Sequence, residues 1–190
     1  MSVLPHVLLI CGMPASGKTA FGNWLRDTCG FLHIDLERSD CLAANELPRF
    51  WARRIWELDP PAVHAFIHHL LTLDRPTVMT WGFSVDCLPL VQAMASAGAV
   101  PWWFEADRLA ARRSFASRQT IIRDGLPQPG VPDPAAFDRQ FGALAAHWEA
   151  IAPIFDTRVL RTLAPDGVYL PPETILARLT GNADEALPRP

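Results

Sequence analysis

Near its N-terminus the chain reads Gly12-Met13-Pro14-Ala15-Ser16-Gly17-Lys18-Thr19, which matches the pattern G-x-x-x-x-G-K-[ST]. An apolar run, 7–11, precedes this motif, and a segment of helical character, 20–25, follows it. A strand, a glycine-rich loop and a helix in that order are the context that the motif requires. Because glycines let the backbone curl, consecutive N–H groups can point into one concave space at the positive end of the helix. The motif therefore predicts a loop that holds phosphate.

Two side chains of the motif have separate predicted roles. Lys18 would reach the outer phosphates of a nucleotide, and the Thr19 hydroxyl would bind the Mg²⁺ that accompanies them. Lys18 is also the only lysine among the 17 Lys and Arg residues of the chain, which indicates a position that needs a compact, flexible ammonium group. The predicted nucleotide-binding residues of the loop and first helical turn are Gly12, Pro14, Ala15, Ser16, Gly17, Lys18, Thr19 and Ala20.

Composition narrows the class of protein. A length of 190 residues is most simply one domain, and a formal net charge of -3 argues against nonspecific nucleic-acid binding. The 4 cysteines form no C-x-x-C pair and no metal-type spacing, which favours a reducing compartment. The first residues lack a signal-peptide pattern, and no apolar run reaches the roughly 18 residues of a membrane helix. We therefore predict a cytoplasmic protein without a membrane segment, either a monomer or a homodimer.

The rest of the chain alternates between strand-like and helix-like segments. The predicted strands are 7–11, 31–35, 77–81, 100–106 and 158–163. The predicted helices are 20–25, 48–58, 62–73, 86–97, 108–123 and 135–150, with a last helix opening at 171–174. Residues 124–134 have the composition of a loop. The alternation predicts an α/β fold, in which a mostly parallel sheet is covered by helices on both faces.

In this element order the chain resembles the small-molecule and polynucleotide kinase branch of the P-loop proteins, which includes shikimate kinase, gluconate kinase and the kinase domains of polynucleotide kinases. The resemblance spans roughly residues 6–180 and rests on one specific motif, the phosphate loop. It implies a three-layer P-loop NTPase fold whose five-stranded parallel sheet has the order 2-3-1-4-5. It also implies a single kinase-like domain, 1–182, with a lid at about 112–134, followed by a disordered tail, 183–190. ATP and Mg²⁺ are the implied cofactors.

Two acidic residues follow the second predicted strand, in the sequence Asp35-Leu36-Glu37. Their alternation places both side chains on one side of an extended segment, next to the phosphate loop. In the resembled kinases such a pair contacts the Mg²⁺ shell and the acceptor hydroxyl. Either residue could act as the catalytic base, and the alternative role for both is capping of a helix start. The third strand ends in Trp81-Gly82 without the acid that nucleotide hydrolases place there, so Asp35 is the more important predicted Mg²⁺ ligand.

Arginines are concentrated in the predicted lid entry. Guanidinium groups can stack on a base, bind phosphate oxygens and neutralise charge that develops during transfer. The resemblance suggests Arg118 and Arg123 as phosphate-binding lid residues, Arg118 as the catalytic one, and Arg113 as the residue that stacks on the base. An ordinary solvated helix face would account for the same arginines.

The acceptor pocket is predicted between 37–58 and the loop after the third strand. Its candidate residues are Glu37, Arg53, Arg54, Trp81, Gly82 and Arg139. The arginines would suit an anionic acceptor, whereas the aromatic side chain would suit a ring.

Three functions are compatible with this sequence. The leading prediction is an ATP- and Mg²⁺-dependent kinase that phosphorylates a hydroxyl of a small molecule. One alternative is a polynucleotide or nucleoside kinase. The other is a regulatory protein that binds a nucleotide without phosphoryl transfer, which the missing acid after the third strand would favour.

Overall fold

A computed structural model describes residues 5–38, 59–123 and 126–181. The strands are β1 (Val7–Gly12), β2 (Leu32–Asp35), β3 (Thr77–Trp81), β4 (Val100–Ala106), β5 (Thr120–Arg123), β6 (Leu126–Pro129) and β7 (Val159–Leu163). The helices are α1 (Lys18–Cys29), α2 (Pro60–Leu71), α3 (Leu88–Ser96), α4 (Arg108–Ala116), α5 (Pro134–Ala146), α6 (Trp148–Phe155) and α7 (Pro172–Leu179). Among these helices, none has both the length and the apolar character needed to cross a bilayer.

Five of the strands form one parallel sheet in the order β2-β3-β1-β4-β7. This is the predicted order 2-3-1-4-5, with β7 in fifth place because β5 and β6 pair only with each other. The central strand, β1, is buried along its whole length. All five carboxyl ends lie at one edge of the sheet, where open α/β sheets bind their ligands.

Helices cover both faces of this sheet, which confirms the predicted three-layer arrangement. Leu8 and Ile10 of β1 pack with residues of α1 and α7, whereas Leu9 and Cys11 pack with α2, α3 and α6 on the opposite face. Alternate residues of a strand point to opposite faces, so β1 contributes to both clusters.

Aspartates mark the starts of three helices. The carboxylates of Asp59, Asp107 and Asp133 accept hydrogen bonds from N–H groups in the first turns of α2, α4 and α5. Such caps satisfy donors that have no partner within the helix, and they stabilise each helix by about 1 kcal/mol.

The predicted helix 108–123 is wrong in its second half. Helix α4 ends at Ala116, and Thr120–Arg123 instead pairs in antiparallel fashion with Leu126–Pro129, a segment predicted to be a loop. The β-branched pair Ile121 and Ile122 favours a strand, and the prolines of β6 are tolerated because both strands are edges.

The predicted helix 135–150 is also wrong as a single element. The chain turns at His147, where φ is −108° and ψ is 15°, so that α5 and α6 are separate helices. The predicted helix 48–58, with Arg53 and Arg54, and the predicted tail, 183–190, lie outside the described residues.

Gly12 joins β1 to the phosphate loop at a very close approach to β4. Its φ is 147°, and a Cβ atom there would collide with the carbonyl oxygen of Phe104, which accepts a hydrogen bond from the N–H of Met13 at 3.1 Å. Only glycine fits this backbone conformation and this space.

Gly12→Ala is expected to lower the free energy of unfolding by at least about 2 kcal/mol, because the Phe104 backbone cannot move aside without disturbing the sheet. Gly142→Ala is the matched control. Gly142 is exposed within α5 and has open space at its Cβ position, so this change should raise stability by up to about 1 kcal/mol. Urea denaturation measures both, and equal effects of the two substitutions would contradict this account.

Candidate active site

Three side chains hold carbonyl groups of the phosphate loop. Lys18 Nζ donates to the carbonyl oxygens of Gly12 at 3.1 Å and Met13 at 2.8 Å. The Thr162 hydroxyl donates to the carbonyl of Ser16 at 2.6 Å, and the Tyr169 hydroxyl donates to that of Ala15 at 2.8 Å. These bonds fix the direction of the loop peptides.

Strand β7 carries an extra residue where it approaches the loop. Glu105 pairs with Arg161 and Ala106 pairs with Leu163, so Thr162 is the unpaired residue of a β-bulge. Bulges redirect a side chain locally. Here the bulge turns the buried Thr162 hydroxyl towards the loop.

Two N–H groups of the loop are not used in hydrogen bonds among the described residues. Within the described residues, no group accepts a hydrogen bond from the N–H of Ala15 or Gly17. The N–H groups of Lys18 and Thr19 belong to the first turn of α1, where a helix provides no acceptor. Together with the positive end of α1, these donors form an anion-binding concavity.

This concavity opens into a cavity of about 520 Å³. Its residues come from the loop, α1, the ends of β2 and β3, α4, α5 and the segment between β7 and α7. They are Pro14, Ala15, Ser16, Gly17, Lys18, Thr19, Ala20, Phe21, Trp24, Glu37, Gly82, Ser114, Phe115, Arg118, Gln140, Thr162, Tyr169, Leu170, Pro172 and Ile175.

Asp35 at the end of β2 meets α1 beside the loop. Its Oδ2 accepts a hydrogen bond from the Thr19 hydroxyl at 3.2 Å, and its Oδ1 accepts one from the N–H of Glu37 at 3.1 Å. Asp35 is only 6% exposed. Burial, and to a smaller extent the nearby Glu37 carboxylate, raise the pKa of this carboxyl group to about 6.

The donor set at this point fits Mg²⁺, which prefers oxygen ligands. Thr19 and Asp35 present a hydroxyl and a carboxylate to each other, and the raised pKa of Asp35 indicates that the described residues around it favour its neutral form. A divalent cation would supply positive charge, with Thr19 and Asp35 as its protein ligands.

Glu37 is held by the peptide groups that follow β3. Its Oε1 accepts a hydrogen bond from the N–H of Gly82 at 2.7 Å, and the carbonyl of the same glycine accepts one from Gln140 Nε2 at 3.0 Å. A Cβ atom on Gly82 would lie 2.5 Å from the Glu37 oxygen, so a side chain at this position would displace the Glu37 carboxylate. The second carboxylate oxygen of Glu37 and the amide oxygen of Gln140 remain available at the cavity wall.

Lys18 is nearly buried among these groups. Burial lowers the pKa of its ammonium group, whereas the Glu37 carboxylate opposes that change and the Arg118 guanidinium adds to it. Charges of both signs therefore lie within electrostatic range of the position where phosphates would bind.

Of the three arginines predicted to bind the nucleotide, one lines the cavity and two do not. Arg118 lines the cavity, with its guanidinium carbon 5.2 Å from the centre of the Phe115 ring. Arg113 instead donates to the carbonyl of Pro165 at 3.2 Å, and Arg123 is exposed on the β5–β6 hairpin; neither contributes to the cavity wall.

Of the residues predicted to bind the acceptor, some line the cavity and others do not. Glu37 and Gly82 meet at the cavity, but Trp81 is 3% exposed and packs against Phe83 in the core. Arg139 points outwards and pairs with Asp133 at 3.3 Å, while its neighbour Gln140 faces the cavity. The positions of Arg53 and Arg54 fall within 39–58 and are not described.

Sequence reasoning missed Ser114, Gln140, Thr162 and Tyr169. No short motif contains them, and three of the four contact the loop or Gly82 across more than fifty residues of chain. One available signal was the rarity of tyrosine, since Tyr169 is the only one in the chain.

Asp35 is expected to make the free energy of unfolding depend on pH, which can be measured without ligands. Because its pKa is about 6 in the folded state and near 3.8 in the unfolded state, the folded state binds this proton more tightly. The free energy of unfolding should therefore fall as pH rises from about 4 to about 6, by up to about 3 kcal/mol relative to Asp35→Asn. Urea denaturation at several pH values, without Mg²⁺, measures the difference, and parallel curves for the two proteins would contradict the assignment.

No protein-family model matches the sequence, and no curated protein matches it. Solved structures do resemble it. A gluconokinase from Sinorhizobium meliloti 1021 is similar over 94% of this chain and 91% of its own, with 17% identity and a TM-score of 0.51. The shikimate kinase from Bacteroides thetaiotaomicron is 15% identical, with coverages of 92% and 97% and a TM-score of 0.55. The shikimate kinase from Acinetobacter baumannii, solved with shikimate, is 14% identical, with 97% of each chain covered and a TM-score of 0.53. The chain therefore has the fold of these P-loop kinases.

Proposed function

We propose that this protein is a kinase that transfers the γ-phosphoryl group of ATP to a hydroxyl of a small molecule, with Mg²⁺ as cofactor. The observation that carries the proposal is that the loop N–H groups, Glu37 and Arg118 face one cavity. The similarity in fold to small-molecule kinases also supports the proposed kinase function.

In this proposal each group of cavity residues has its own role in phosphoryl transfer. The loop N–H groups and Lys18 would hold the nucleotide phosphates, and Thr19 and Asp35 would hold an Mg²⁺ ion that offsets the negative charge of the phosphates. Arg118 reaches the transferring group from the α4 side and stabilises charge that develops on its oxygens. The bond between the γ-phosphorus and the β–γ bridging oxygen breaks while the acceptor oxygen bonds to that phosphorus.

We assign the base to Glu37 rather than to Asp35. Asp35 is occupied by the Thr19 hydroxyl and the Glu37 N–H. The Gly82 N–H holds one oxygen of Glu37, which leaves the other free to take the proton from the acceptor hydroxyl. With Glu37 as the base, the acceptor would bind between Glu37, Gly82 and Gln140.

A small acceptor fits the described walls better than a polynucleotide does. Lys18 and Arg118 are the only cations among the residues that line the cavity in the described parts of the chain. A groove for a nucleic-acid backbone would need a longer row of cations.

Two substitutions test the assignment of carboxylates. Glu37→Gln and Asp35→Asn are expected to lower turnover by about 10²- to 10⁴-fold, because one removes the proton acceptor and the other removes a charged Mg²⁺ ligand. Glu37→Gln should leave the affinity for ATP within about threefold, since Glu37 lies on the acceptor side. Glu149→Gln is the matched control, because Glu149 is exposed on α6 and lies outside the cavity wall.

The assay is transfer of labelled γ-phosphate from ATP to a library of sugars, polyols and hydroxy acids, with binding followed by calorimetry. Transfer by the wild type that is lost in both variants is the expected result. ATP binding that Lys18→Ala abolishes, together with no transfer to any acceptor, would replace the kinase proposal with that of a nucleotide-binding regulatory protein. Full activity of Glu37→Gln would show that the acceptor side is assigned to the wrong residue.

A further inference from the structure

Tyr169 lies directly on the phosphate loop. Its ring atoms are 3.2 Å from the position that a Cβ atom of Gly17 would take, and its hydroxyl is 2.8 Å from the Ala15 carbonyl oxygen and 2.8 Å from Ser114 Oγ. A carbonyl oxygen only accepts hydrogen bonds, so the tyrosine donates its single proton to Ala15. Ser114 must then donate to Tyr169, which gives a hydroxyl relay in the direction Ser114 to Tyr169 to Ala15.

The sheet holds Tyr169 in place. Tyr169 forms an antiparallel bridge with Leu163 at the end of β7, and the N–H of the next residue, Leu170, donates to the carbonyl of Thr162 at 2.9 Å. Between the two, the chain reverses through a turn in which Gly167 has φ 88°. The tyrosine is therefore attached to a strand of the sheet, although 40% of the residue is exposed.

One end of the relay reaches the loop at its strained residue. Ala15 has φ 58°, a left-handed conformation that is uncommon for a residue with a side chain. Its carbonyl is the acceptor of the Tyr169 hydroxyl. The Tyr169 bond therefore stabilises a conformation that exposes the N–H groups of the loop to phosphate.

The other end reaches the element that carries Arg118. Ser114 is in the last turn of α4, and the N–H of Arg118 donates to the carbonyl of Phe115 at 3.2 Å just beyond the helix end. Helix α4 makes a second bond to the same segment, from Arg113 to the carbonyl of Pro165 at 3.2 Å. A change in the conformation of the loop at Ala15 can therefore move the end of α4 through the Tyr169–Ala15 and Ser114–Tyr169 hydrogen bonds.

We propose that Tyr169 is a positioning residue that couples nucleotide binding at the phosphate loop to the placement of Arg118. It makes this connection through the Ser114–Tyr169–Ala15 relay. The inference rests on the proposed kinase function for the role of Arg118, whereas the connection itself requires only that a nucleotide binds the loop. Tyr169→Phe keeps the ring against Gly17 and removes the relay.

The first experiment does not need an acceptor. Protein labelled with 3-fluorotyrosine gives one ¹⁹F resonance, since Tyr169 is the only tyrosine. Ser114→Ala should shift this resonance in the free protein, because it removes the donor to Tyr169. Ser117→Ala is the matched control on the same α4 end; its hydroxyl bonds the Ser114 carbonyl and not Tyr169, so it should leave the resonance in place. Adding Mg²⁺ and a non-hydrolysable ATP analogue should shift the wild-type resonance.

The second experiment is a double-mutant cycle in turnover. Tyr169→Phe is expected to lower kcat about tenfold, the effect of losing one hydrogen bond that acts in the transition state, and to change the KM for ATP by less than about threefold. In an Arg118→Ala background the same substitution should have no further effect on kcat, because the group that it positions is gone.

The outcomes separate the two proposals. A ¹⁹F shift on nucleotide binding with no transfer to any acceptor supports the coupling and overturns the kinase function. Nucleotide binding seen by calorimetry without a ¹⁹F shift overturns the coupling. So does a rise in the KM for ATP at constant kcat, or additive effects of Tyr169→Phe and Arg118→Ala. Absence of nucleotide binding overturns both proposals.

Discussion

The site depends on one constraint, which is that the carbonyl groups of four phosphate-loop residues, Gly12, Met13, Ala15 and Ser16, are held by hydrogen-bond donors from the rest of the fold. Lys18, Thr162 and Tyr169 supply the donors, and they come from α1, β7 and the segment after β7. If these donors were lost, the peptides could rotate and present carbonyl oxygens to an anion, which would repel it. An anion-binding loop thus requires the sheet behind it, and the close contact of Gly12 with β4 sets its distance from that sheet.

The electrostatics of the free protein are arranged around ligands that carry both signs of charge. Lys18 is nearly buried with a lowered pKa, while Asp35, which lies within electrostatic range of it, is buried with a raised pKa. Within the part of the chain that the structure describes, burial outweighs the stabilising charges around each group. A nucleotide with its cation would supply negative charge near Lys18 and positive charge near Asp35. Binding would therefore offset the cost of burying both charged side chains. This reciprocity favours recognition of the metal–nucleotide pair over either component alone.

The sequence was sufficient to predict the loop and the parallel sheet, because a local motif and strong alternation of strands and helices specify them, and the resemblance to P-loop kinases implied the strand order. It was insufficient where tertiary contacts determine the secondary structure or the direction of a side chain. The arginine-rich segment after β4 has helical spacing, yet Ile121 and Ile122 pair with a proline-containing strand instead. Arg139 looked like an acceptor contact, but the helix phase turns Gln140 inwards. Thr162 reaches the loop through a bulge, and Tyr169 reaches it across 154 residues of chain, so neither contact follows from spacing.

The central claim is that the N–H groups of Ala15, Gly17, Lys18 and Thr19 bind phosphate. Amide resonances of ¹⁵N-labelled protein, followed during titration with Mg²⁺ and a non-hydrolysable ATP analogue, test it most directly. The account predicts that these four amides shift downfield at one common affinity, as expected for donors that gain a charged acceptor. Saturable binding that leaves all four amides unshifted, while resonances elsewhere move, would contradict it.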